Sequence, residues 1–186
     1  MWEIILLLLA VAVPVILIIY FISIYNRFVS LKNAAEASLN QIKVGLKKRL
    51  DLIAELVEAT KSYAKYERET LEKITKLRTS VFATPGEVSE AEEETRRLLG
   101  QVLAVVEAYP SLRASEPVAK LMEAARSVED EIARLRYTYN SVVQQYNTMI
   151  DTFPSSVVAS MKGFKKLPYL RMPEEVERRP SLSFQV

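Results

Sequence analysis

Residues 4–24, IILLLLAVAVPVILIIYFISI, carry no charged side chain. About 20 apolar residues cross the hydrocarbon layer as a helix, so this stretch predicts a transmembrane span. Pro14 lies mid-span, removes one backbone bond and is compatible with a kinked membrane helix. A cleaved signal peptide is the rival reading. It would need a basic leader, a shorter apolar core and a small-x-small cleavage site. Glu3 is the only charged side chain before the core, and Tyr20–Phe28 is bulky. The stretch therefore reads as a retained anchor.

Beyond the span the pattern changes from continuous apolarity to a 3/4 spacing. Ala35, Leu39, Ile42, Leu46, Leu50, Ile53, Val57, Ala64, Leu71 and Ile74 fall on one side of a helix. No proline interrupts Tyr25–Val81, and one helix of that length would run about 85 Å. The alternative is a break near Gly45–Asp51. Thr84-Pro85-Gly86-Glu87 restarts a helix: Thr84 caps, Pro85 suits the first turn and Glu87 completes a capping box. This second helix runs to about Ala108, before Tyr109-Pro110. Ser115 is the next cap. The third helix carries the most regular stripe: Leu121, Ala125, Val128, Ile132, Leu135, Tyr139, Val142, Tyr146, Met149 and Phe153. Phe153-Pro154 stops it, and Ser155–Lys162 predicts a short helix ended by Gly163.

From Phe164 the chain is proline-rich and closes on SLSFQV, which reads as disorder or loose docking rather than a short strand. The fold class is all-α: an N-terminal transmembrane helix followed by an antiparallel helical bundle with a very long first helix. Residues 1–24 are the anchor, 25–163 the bundle and 164–186 an irregular tail.

The 186-residue composition narrows the chemistry. The chain has no histidine and no cysteine. That excludes Ser-His-Asp and Cys-His catalysis, disulfides, and zinc sites built on His or Cys. The acidic run Glu87, Glu90, Glu92, Glu93 and Glu94 lies at a helix start, where carboxylates complement the dipole. It reads as a solvated first turn rather than a metal site. No glycine-rich phosphate loop is present. No enzymatic activity, cofactor or metal is expected. A formal net charge of +2 argues neither for nor against nucleic acid, but no recognition motif is present, and no nucleic-acid partner is expected.

The flanking charges set an orientation. No basic residue precedes the span, whereas Arg27, Lys32, Lys43, Lys47, Lys48 and Arg49 follow it. The positive-inside rule then places the N-terminus outside and the body in the cytoplasm of a single-pass cell-membrane protein. The cluster Lys47, Lys48, Arg49 is the densest basic patch. On a continuous helix Lys47 stands roughly 30 Å beyond Tyr25. Screening over about 8 Å removes the membrane from its reach, so a solvated face with ion pairs such as Lys47–Asp51, or a protein partner, is favoured over lipid. In Met161–Met172, basic and aromatic residues are interleaved. That pattern suits a membrane interface, partner docking or packing along the bundle.

Tyr139 and Tyr146 lie on the third helix's stripe, with Asn140 and Asn147 at its edge. Tyr25-Asn26 repeats the pair, and Asn26, Asn33 and Asn40 recur at intervals of seven. Amides beside a helical seam fix register. They can do so within one chain or towards a neighbouring subunit, where tyrosine also serves. A helix of about 22 residues cannot cover the full first helix. Part of Tyr25–Leu50 would then expose its stripe unless the third helix or another chain covers it. A cyclic or cage-like homo-oligomer would answer that.

Several runs resemble the LemA family. They are Tyr25-Asn26, Leu31-Lys32-Asn33, QIKVGLKKRLDLIAELVEATKSYAKYE (Gln41–Glu67), YPSLRAS (Tyr109–Ser115) and RYTYNSVVQQYNTMIDTFPSSVVASMKGF. The chain departs from the family pattern at Ala54-Glu55, where proline is usual, at Leu39, usually aromatic, and at Tyr66, usually histidine. The missing proline favours an uninterrupted first helix. The resemblance implies a membrane-anchored helical bundle without established enzymatic activity. It also points to an accessory or scaffold role, some relatives being linked with membrane metalloproteases of the heat-shock type. The function expected is a non-catalytic membrane-anchored scaffold or adaptor. It self-associates or docks on another membrane protein, possibly a protease. The alternative is a signalling or ligand-binding module with an interhelical pocket at Tyr139 and Asn147.

Overall fold

The computed structural model describes residues 2–64, 66 and 68–171. Six helices account for most of them: α1 (Trp2–Thr60), α2 (Arg68–Thr79), α3 (Pro85–Ala108), α4 (Pro110–Arg113), α5 (Glu116–Asp151) and α6 (Ser155–Lys162). The described residues contain no strand. The closing SLSFQV stretch lies outside the described residues.

Helix α1 starts in the apolar stretch, includes Pro14 and runs unbroken through Gly45–Asp51. Every residue from Trp2 to Tyr20 is exposed, and an 18-residue window reaches a mean hydropathy of 3.2. The chain thus carries a candidate membrane-spanning helix. Gly45 marks close packing rather than a break: a Cβ there would lie 2.8 Å from Ile132 Cγ1 on α5.

The expected helix to Val81 is corrected. Helix α1 ends at Thr60, whose hydroxyl bonds back to Leu56 O at 2.7 Å, and the chain reverses before α2. Arg78 Nη2 returns to Asp51 Oδ1 at 2.9 Å, so α2 runs antiparallel to α1. The reversal buries Ile74 with Ile53 and Leu56, contact that a straight helix would have denied it. It also takes Asp51 away from Lys47, its expected ion-pair partner.

Helix α3 begins as the sequence predicts. Thr84 Oγ1 accepts from Glu87 N at 3.2 Å, and Glu87 Oε2 accepts from Thr84 N at 3.3 Å. The one-turn α4, not expected from the pattern, fills the step between Tyr109-Pro110 and α5.

Two compact units divide the chain. The first joins residues up to Ser38 with Thr138–Pro168. Its core is Ile24, Phe28, Leu31, Tyr146, Val158 and Ala159. Here α5 runs antiparallel to α1, with Arg27 Nη2 donating to Gln145 Oε1 at 3.3 Å. The second unit holds Leu39–Tyr137 and the described residues from Tyr169. Its core is built on Ile53, Leu56, Leu98, Leu99, Val102 and Val106. Arg171 N reaches Ser89 Oγ at 3.3 Å there.

The stripe of α1 that the second predicted helix is too short to cover is buried within the chain, the first of the two alternatives. Phe28, Leu31 and Ala35 are buried in the first unit, and Leu39, Ile42, Leu46 and Leu50 in the second. The long α5 supplies the length that α3 lacks.

Candidate functional site

The paired Tyr-Asn residues of α5 enclose an extended segment. Gly163 ends α6 at φ 69°, and Phe164 N donates to Ala159 O at 3.0 Å while Gly163 N points to Ser160 O at 3.4 Å. This pair of bonds is a Schellman cap, whose left-handed residue glycine occupies without a Cβ penalty. It turns the chain so that residues 164–168 run back along α5. The Asn147 side chain then pairs with one peptide twice: Nδ2 donates to Leu167 O and Oδ1 accepts from Leu167 N, both at 2.9 Å. Tyr139 Oη donates to Pro168 O at 2.9 Å. Phe164 stacks on Phe28, with ring centroids 4.7 Å apart, and Tyr146 meets Phe28 edge-on at 5.5 Å. Burial raises the pKa of Tyr139 and of Tyr146 above the ordinary tyrosine value.

A charged network lies in the second unit. Arg49 is 1% exposed; its Nη1 donates to Glu92 O at 3.0 Å and Thr95 Oγ1 at 2.9 Å, and its Nε lies 2.6 Å from Glu129 Oε1. Glu92, also buried, takes Arg96 at 2.9 Å and Arg136. Arg96 Nε lies 3.9 Å from Glu129 Oε2. Three helices thus contribute three guanidiniums and two carboxylates to one site. Desolvation lowers the Arg49 pKa and Arg96 adds to that, while Glu129 and Glu92 oppose it. A charge taken from water this fully must be paired or neutralised, and the network does the pairing.

These positions redistribute the expected interaction residues. Tyr139, Tyr146, Asn147 and Arg49 are buried and engaged within the chain, so they present no surface to a neighbouring subunit. Asn140 is half-buried and also engaged. Tyr25, Asn26, Asn33, Asn40, Lys47 and Lys48 are exposed. Lys48 meets Glu131 at 3.3 Å on the surface. The basic patch therefore splits: Lys47 and Lys48 face solvent, and Arg49 enters the core. Residues 164–168 lie against Tyr139 and Asn147, where the alternative reading places an interhelical pocket. The cavity found in the second unit is an open groove of about 640 Å³ lined by Asp51, Ala54, Glu55, Glu58, Ala59 and Arg78.

The Arg–Glu network was not expected, yet a signal for it exists. Arg49 stands seven residues from both Ile42 and Leu56, Glu92 four after Val88, and Arg136 four after Ile132 and three before Tyr139. Each charge occupies an apolar phase of its helix, and three such misfits on three helices answer one another.

Residues 38–184 match the model of the LemA family. The chain belongs to the LemA family. Three relatives show the breadth of that likeness, each 25% identical. Magnetosome protein MamQ 1 of Paramagnetospirillum magneticum aligns over 79% of this chain and 64% of its own length. Magnetosome protein MamQ of Magnetospirillum gryphiswaldense aligns over 87% and 71%. Protein LemA of Metamycoplasma hominis aligns over 76% and 67%. The LemA match takes in the Tyr-Asn face of α5, the segment it holds and the charged network. It begins after the apolar span.

Proposed function

We propose that this member of the LemA family is a non-catalytic, membrane-anchored scaffold that self-associates through α1 and presents its bundle to a membrane-protein partner in the cytoplasm. The observation that carries self-association is the outer face of α1. Asn26, Asn33 and Asn40 are exposed at intervals of seven, and Ser30, Ala37 and Val44 complete the alternating spacing between them, also exposed. A polar, narrow seam of this kind suits close helix pairing with register set by amides. The apolar stripe of α1 is buried within the chain, so self-association does not depend on covering it. The charges Arg27 and Lys32, with none before the span, support the cytoplasmic placement. The names of the two MamQ relatives refer to a cell structure, the magnetosome, rather than to a reaction, which favours a structural role.

The test uses the absence of native cysteine. Ala37→Cys in the full chain, oxidised in mild detergent, gives a disulfide-linked pair on self-association through this face, and native mass analysis gives more than one copy. A monomer by mass with no crosslink at Ala37→Cys or Asn33→Cys overturns the reading.

A further inference from the structure

We propose that the α5–α6 turn and the outer face of α6 form a second membrane contact, seated in the headgroup layer of the leaflet from which α1 emerges. The inference rests on the reading of residues 4–24 as a span. Its starting point is the height at which α6 docks. Val158 and Ala159 pack with Ile24 and Phe28, with Phe21, Met149 and Ile150 alongside. Lys162 Nζ lies 5.8 Å from the Phe21 ring centroid and 5.7 Å from that of Tyr25. The residues that receive α6 are the last turn of the apolar stretch and the first turn beyond it. From Phe21 to Phe28 is only ~10 Å along α1. A span that crosses the bilayer therefore carries α6 to the boundary between hydrocarbon and water.

At that level the chain exposes what an interface takes up. Phe153 is 83% exposed, Val157 49% and Met161 69%. They are spaced four apart, so Val157 and Met161 share one face of α6 and Phe153 leads into it. Cations follow them in the chain: Lys162, Lys165 and Lys166 are exposed. Asp151 is the nearby carboxylate, and Lys166 pairs with it at 2.8 Å. Large apolar side chains under a rim of lysines are what an amphipathic helix offers to anionic lipid, the lysines reaching up to the headgroups. Lys162 lies within a screening length, about 8 Å, of the span's end, whereas Lys47 is over 30 Å from it. The basic residues that meet lipid are thus brought there by the fold.

The experiment places single cysteines at Phe153, Val157 and Met161, with Leu9→Cys and the exposed Val81→Cys as references, in the full chain. Each is nitroxide-labelled and reconstituted into phosphatidylcholine vesicles with and without phosphatidylglycerol. Collision with dissolved oxygen is compared with collision with a water-soluble nickel chelate. The proposal expects the three labels to favour oxygen as Leu9 does, and Val81 to favour nickel. It further expects Lys162→Glu with Lys165→Glu to shift the three labels toward nickel in the anionic vesicles. Labels at 153, 157 and 161 that behave like Val81 while Leu9 favours oxygen overturn the second contact and leave the span standing. Leu9 behaving like Val81 overturns the span and this proposal together. Labels shielded from both reagents overturn it in favour of a protein covering.

Discussion

The two units solve the same problem with different chemistry. Each buries polar side chains of α5 in an apolar setting, and each must satisfy them. In the first unit the answer is neutral. Asn147 and Tyr139 bond to the backbone of one extended segment. In the second it is ionic, with Arg136 meeting Glu92 beside Arg49, Arg96 and Glu129. A neutral pair that loses one partner leaves a dipole unpaired; an ionic group that loses one leaves a charge. The second loss is far larger, because desolvation of a charge costs more than desolvation of an amide.

Glu92→Ala is accordingly expected to have the largest effect. It strips Arg136 and Arg96 of their shared carboxylate, and costs of about 3–5 kcal/mol accompany such losses. Thermal unfolding in detergent reads it as a lowered midpoint. Glu92→Met with Arg136→Met removes both charges and should recover a good part of the loss; no recovery means the charges were not the cause. Asn147→Ala comes next, at about 1–3 kcal/mol, because it orphans both polar groups of one peptide. Faster hydrogen exchange at the Leu167 amide localises the change. If it destabilises as much as Glu92→Ala, the contrast between neutral and ionic burial fails.

Gly163→Ala follows, at roughly 1–2 kcal/mol. Beyond its own chain neighbours the added Cβ meets no heavy atom of the described residues within 4 Å, so the cost is one of backbone conformation. Asn, which tolerates left-handed geometry, should recover part of it, whereas Val should lose more. The last effect is absent near neutral pH. Tyr139 and Tyr146 hold folded pKa values above 10.0. Well below pH 10 both states keep the phenolic proton and stability is unaffected. As pH rises beyond that, the unfolded chain ionises first, and stability falls until the folded pKa is passed. Hydrogen exchange across pH 9–11 should open the first unit progressively. Tyr139→Phe should shrink the slope while losing the bond to Pro168.

Much of this architecture was legible in the order of apolar residues. The capping box at Thr84, the stop at Asp151, the glycine cap at Gly163 and the stripe of α5 all follow from local rules. The stripe was displaced by a fraction of a turn: Arg136, Val143 and Asn147 are buried, and Leu135, Val142 and Met149 only half so. A pattern of apolar letters cannot register a face that includes an arginine and an amide. The reversal between α1 and α2 escaped for a related reason. No proline or glycine marks it, and what drives it is the burial of Ile74 against residues about 20 positions earlier. The sequence puts Asn147 at the edge of the stripe, but its partner is a peptide on an extended segment, which helical spacing does not reveal. The exposed face of α1 and the lysines at and after the end of α6 acquire meaning only once their distance from the span is known.

The grip of Asn147 on Leu167 has one further consequence. A primary amide offers the same donor and acceptor as a peptide edge, so the clamp reads backbone and ignores side-chain identity. The side chain at 167 is constrained elsewhere, where Leu167 packs on the core of the first unit, and the clamp alone would accept a neighbouring peptide equally well. Alignment must come from its neighbours: Phe164 stacked on Phe28, and Pro168, which lacks an N–H and offers Tyr139 only its carbonyl. The segment is held like a ribbon in a blind clip, with an aromatic pin at one end setting where the clip closes.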